Sequence, residues 1–110
     1  MRSHKIQAAL LAVEQLNKES VDEVRRKRGA SAAMSVEGGC RRIFMYARDL
    51  YEVAAEMDPV KGLEDAEHQI AHLVYLMANK NRTRANKLLK EKTRQLKEVM
   101  AKLKEREKTQ

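Results

Sequence analysis

Apolar residues recur along this chain at steps of three and four, and the recurrence divides it into helices. Ile6, Ala9, Leu10, Val13 and Leu16, with Ala12 beside them, share one face of a helix predicted over Ser3 to Lys18, with Ser3 as its N-cap. Ser20 and Glu23 then form the S-x-x-E pattern in which each caps the other's backbone, so a short second helix is expected to restart there. Asp22 and Glu23 sit near the positive end of its dipole and Arg25 to Arg28 near the negative end. Gly29 is a natural stop, because glycine takes positive φ without a Cβ clash. From Ala30 to Cys40 the pattern weakens. Gly38 and Gly39 each cost about 1 kcal/mol relative to Ala inside a helix, so a loop or short helix is expected.

A third helix is predicted from Arg41 to Met57, where Ile43, Ala47, Leu50, Ala54 and Met57 form a stripe widened by Phe44, Tyr51 and Val53. The segment "MDPVKG" breaks it. Asp58 suits an N-cap and Pro59 the first helical position. The next stripe is Leu63, Ala66, Ile70, Leu73 and Met77. Two stripes of equal length joined by a tight connection predict an antiparallel helical hairpin. The pattern lapses through "ANKNRTRAN" and resumes as a heptad-like series of Asn86, Leu89, Thr93, Leu96, Met100 and Leu103. An unbroken helix from Lys61 to Lys108 would be about 72 Å long at 1.5 Å per residue. A domain this small cannot cover such a rod. Its C-terminal part is expected to project into solvent, pair with another subunit or lie on a ligand.

The chain is therefore expected to be all-α: a small helical bundle over residues 1–78 containing the hairpin, and a long basic C-terminal helix over residues 79–110. Its 110 residues suit one domain, and the single Pro and four Gly leave little turn punctuation. With aromatics at 4%, the core must come from aliphatic residues, Ala and Met. In the last helix Leu89, Leu96, Met100 and Leu103 form a coiled-coil-like seam for a homo-oligomer, with Asn86 placed to set register. The flanking Lys90, Lys92, Lys97 and Lys104 would repel in a parallel homodimer. No apolar run approaches the roughly 18 residues of a membrane span. The N-terminus reads as amphipathic helix rather than a secretory leader. The lone Cys40 fits a reducing, cytoplasmic setting.

Charge changes the picture. Residues 1–79 hold 11 Lys/Arg and 12 Asp/Glu, residues 80–110 hold 12 and 4, and the whole chain carries +7. That asymmetry points to a polyanionic partner such as nucleic acid or acidic lipid. In "NKNRTRANKLLKEKTR", Lys80, Arg82, Arg84, Lys87, Lys90, Lys92 and Arg94 are spread around the helix among Asn79, Asn81, Thr83 and Asn86. Arg and Lys neutralise phosphates and release counterions; Asn and Arg also read base edges. The segment resembles, in composition, arginine-rich RNA-binding helices.

Ser20, Val21, Val24, Arg25, Gly29, Ala30 and Ser31 fit a second pattern. "SVDEVRRKRGAS" resembles the N-terminal DNA-binding segment of Kfr-type plasmid proteins, which precedes a recognition helix and a long coiled coil. The resemblance implies backbone contacts from Arg25, Arg26, Lys27 and Arg28, with Ser31 and Ser35 at the groove. Gly38-Gly39 fall inside the segment that would be the recognition helix.

His68 and His72 lie one turn apart with Glu64 a turn earlier, a spacing that chelates metal when a third ligand joins it; none is placed by sequence. No nucleophile, phosphate-loop or metalloprotease motif is present, so neither an enzyme nor a cofactor is expected. Two functions remain. One is a small DNA- or RNA-binding regulatory or accessory protein of plasmid or phage type, holding phosphate with Arg25–Arg28, Lys80, Arg82, Arg84, Lys87, Lys90 and Arg94. The other is an all-α adaptor, inhibitor or assembly protein that docks on a protein partner through an exposed amphipathic helix.

Overall fold

In the computed structural model, which describes residues 4–58 and 60–109 apart from the side chains of Lys80 and Thr109, the first helix does not end near Lys18. α1 covers His4–Arg28 without a break. Ile6, Leu10, Val13, Val21 and Val24 are buried along it, with Asn17 in line between Val13 and Val21. The expected restart at Ser20 is thus corrected. Burying a valine is worth about 1.5–3 kcal/mol, more than the roughly 1 kcal/mol of a cap, so Val21 and Val24 carry the helix on through Ser20.

Gly29 ends α1, as expected, at φ 91°. Its N–H donates to the Arg25 carbonyl at 2.9 Å and its own carbonyl accepts from Ala33 N–H at 3.2 Å. One residue therefore closes α1 and opens α2, Ala30–Met57, which folds back antiparallel to it. The loop or short helix expected over Ala30 to Cys40 is also corrected, since α2 passes unbroken through both glycines. Gly39 has a packing reason: a Cβ there would lie 2.5 Å from Met77 Cε. Asn17 links the two helices by donating from Nδ2 to the Cys40 carbonyl at 3.0 Å.

The turn after α2 uses Asp58 as expected. Its Oδ1 accepts from Val60 N–H at 3.2 Å and Lys61 N–H at 3.1 Å. The position expected for Pro59 lies outside the described residues. α3, Lys61–Tyr75, completes the antiparallel hairpin with α2. Ile43, Ala47, Ile70 and Leu73 are buried at its centre.

The helical pattern that lapses beyond Met77 breaks there, and no continuous rod runs on from α3. Leu76–Lys80 form a π-helical turn, and Asn81 then adopts extended backbone, φ −149° and ψ 98°. Asn81 N–H still reaches the Leu76 carbonyl at 3.0 Å, while its Oδ1 accepts from Arg84 N–H at 3.0 Å. Asn81 thereby ends one helical segment and caps the next. α4, Arg82–Thr109, turns back and runs beside α2 in the same direction. The protein spans 53 × 27 × 20 Å. Ala85, Leu89 and Leu96 are buried in the same core as the first three helices, with Leu88, Val99, Met100 and Leu103 packed against it. The leucine seam expected to pair two chains is occupied within this one. α4 rests on the body as far as Leu103, and residues 104–108 are exposed. α1 and α4 do not touch; each packs on α2, α3 and the π-helical turn. Among the described residues there is no strand.

Candidate nucleic-acid interface and groove

Two basic segments far apart in sequence lie at the same end of the bundle, each beside the start of α2 and without touching one another. The Arg82 guanidinium donates from Nη1 to the Ala32 carbonyl at 3.4 Å, which holds the first turn of α4 against the start of α2. Ala32 lies three residues beyond Gly29, where α1 ends in Arg25, Arg26, Lys27 and Arg28. All four of these side chains are exposed, as is Arg84. Arg25 pairs with Asp22 at 3.0 Å and Lys27 with Glu23 at 2.8 Å, both within α1. The hydrogen-bonded Lys27 ammonium holds the Glu23 carboxyl below its usual range. Exposed pairs of this kind exchange readily for other partners, since each is worth under about 1 kcal/mol.

The structure sorts the cations of α4 into different roles. Arg82 is half-buried and spent on Ala32. Lys92 is half-buried and donates to Gln69 Oε1 at 3.4 Å. Lys80 falls in the π-helical turn, with its side chain outside the described residues. Lys87, Lys90 and Arg94, with Lys97, step by three, four and three and line one groove between α4 and α2, about 1390 Å³ in volume. Arg42 of α2 crosses one end, donating from Nη2 to Asn86 Oδ1 at 2.7 Å. Glu91 and Glu98 also line the groove, and Glu98 accepts from Arg94 at 3.0 Å. Met45, Leu89 and Ala101 supply apolar floor.

Arg42 and Lys97 were not among the expected site residues. Lys97 was legible, because it continues the step of Lys87, Lys90 and Arg94. Arg42 was not, because it comes from a helix placed beside α4 only by the break at Asn81. The seam residues Leu89 and Leu96 are buried; Met100 and Leu103 are half-buried. Ser31 and Ser35 are exposed on the first turns of α2.

His68 and His72 are exposed on the outer face of α3. Among the described residues no group of three or more His, Cys, Asp or Glu side chains converges on one point. Cys40 is buried, and that burial, reinforced by Glu37, pushes its thiol up to about 11. Its burial keeps it protonated at neutral pH in the folded chain. Burial likewise pushes Tyr46 and Tyr51 up to about 12. Among the described residues, no helix is long and apolar enough to cross a membrane. No protein-family model, curated protein or solved structure matches the chain.

Proposed function

We propose that this protein binds DNA or RNA through phosphate contacts at its basic end, as a small regulatory or accessory protein. The observation that carries this reading is the Arg82–Ala32 contact. It brings the start of α4, with exposed Arg84, to the end of the bundle where α1 presents Arg25 to Arg28. A duplex lying along a face of 27 Å offers roughly 16 phosphates, at one charge per 1.7 Å of axis. Five exposed cations on one end suit that array. The resemblance of Ser20 to Ser31 to Kfr-type DNA-binding segments supports the same surface. Arg82 acts here by positioning, and Lys90 and Arg94 belong to the groove rather than to this end.

The test is affinity for labelled random duplex and single-stranded probes at low salt, for the wild type and for Arg26→Gln/Arg28→Gln/Arg84→Gln. The wild type is expected to bind at least one probe, and the triple variant at least ten-fold more weakly. No binding by the wild type, or equal binding by the two proteins, overturns the proposal.

A further inference from the structure

The groove between α2 and α4 has features that phosphate binding does not use. Its floor is apolar, and Met45 stands 52% exposed there. Tyr46 is the one aromatic lining it, but that ring is buried with its hydroxyl donating to Gln69 Oε1 at 3.2 Å. No open aromatic face in the groove therefore offers a base something to stack on, as single-strand binders do. The rim is cationic: Arg42, Lys87, Lys90, Arg94 and Lys97 stand against Glu91 and Glu98. From Asn86 to Ala101 the groove follows α4 for about 22 Å, or four helical turns.

The exposed face of α2 beside the groove adds an independent observation. Met34, Gly38 and Met45 recur at steps of four and seven and so share that face. Met34 is 72% exposed. Gly38 has nothing within 4 Å of where its Cβ would be, so the chain's own packing does not require a glycine there. A glycine in mid-helix lowers stability by about 1 kcal/mol relative to Ala. Its usual return is close approach by another backbone.

We infer that the α2–α4 groove receives an acidic amphipathic helix of a partner protein. The apolar side of that helix covers the exposed Met45 and Ala101, above buried Leu89. Its flanking carboxylates meet Lys87, Lys90, Arg94 and Lys97. This is the helix-in-groove mode, in which apolar anchors recur at three- and four-residue steps and charges on the rim set orientation. The inference is independent of the nucleic-acid reading, since it uses another face and other cations.

The probe is a capped 16-residue synthetic peptide with leucines along one face and glutamates flanking them. Its control is the same peptide with every glutamate replaced by lysine. Binding is read by fluorescence anisotropy, and the site by methyl NMR at methionine and leucine. The acidic peptide is expected to bind saturably and to shift the Met45 and Leu89 methyl signals. Met45→Glu and Lys90→Glu/Arg94→Glu should each weaken it at least ten-fold while keeping the wild-type circular dichroism. Arg26→Gln/Arg28→Gln, expected to weaken nucleic-acid binding, should leave peptide affinity unchanged. The inference is overturned if the acidic peptide does not bind, if the lysine control binds equally, or if the shifts fall away from Met45. It is also overturned if sedimentation shows a dimer that buries Met45, or if duplex DNA displaces the peptide from this groove.

Discussion

Met77 and Gly39 meet so closely at the core that a Cβ at position 39 would lie 2.5 Å from Met77 Cε and 2.6 Å from its Sδ. Met77 is 1% exposed, so its side chain has little room to retreat. The adjacent Gly38 faces open space. Neighbouring glycines in one helix therefore have opposite consequences. Gly39→Ala should lower unfolding free energy by about 1–2 kcal/mol through overpacking. Gly38→Ala should raise it by about 0.5–1 kcal/mol through helix propensity. Urea unfolding of the two variants checks the signs.

The leucines of α4 close the core of a single chain. Leu89→Ala should cost about 2–4 kcal/mol, as expected for truncating a buried leucine. Because Leu89 is 4% exposed within one chain, the loss should appear as a lower Tm that does not depend on protein concentration. A concentration-dependent Tm in the wild type, abolished by the variant, would instead place Leu89 between chains.

Local chemistry was legible in the sequence wherever one residue decides the backbone. Gly29 marks a positive-φ stop and Asp58 a cap, and both act within a few residues of themselves. The stripes from Ile43 to Met57 and from Leu63 to Met77 were legible for the same reason, since helical period needs no knowledge of the partner, although Met57 at the end of α2 stands 68% exposed and Leu63 only half-buried. The misreadings share a different cause. Asn17 sits in the apolar stripe of α1 and hides the continuity from Val13 to Val21, because its partner, the Cys40 carbonyl, belongs to another helix. Gly39 looks like a breaker until Met77, 38 residues later, is placed over it. The lapse around Asn81 was visible, but its consequence was not. A single extended residue turns α4 back along α2, and only then do the faces of α4 divide its cations, Arg82 and Lys92 toward the body and Lys87, Lys90, Arg94 and Lys97 toward the groove.

Asn17 offers a further test. It is 8% exposed, and its Oδ1 is buried with no hydrogen-bond partner in the protein. A buried acceptor left unpaired costs more than one hydrogen bond returns. Asn17→Leu, which extends the stripe from Val13 to Val21, should stabilise the protein by about 1 kcal/mol in urea unfolding.

Alkaline pH should destabilise the fold. Cys40 is raised from 9.0 to about 11, and Tyr46 and Tyr51 from 10.0 to about 12, chiefly by burial. Each group keeps its proton longer in the folded chain than in the unfolded one. Their contribution is complete below pH 9, declines as the unfolded groups ionise, and is lost as pH passes through 11 to 12. Tm measured from pH 8 to 12 should fall across that window, and Cys40→Ser should remove the earliest part of the decline.

The central claim is that Arg25 to Arg28 and Arg84 form one phosphate-binding surface. Its most direct measurement is the slope of log K against log salt concentration for a random duplex, from about 50 to 200 mM salt. The wild type should give a steep negative slope, shallower by roughly 0.9 for each cation removed in the series Arg26→Gln, Arg28→Gln and Arg84→Gln. A slope near zero in the wild type, or one that these substitutions leave unchanged, would contradict the account.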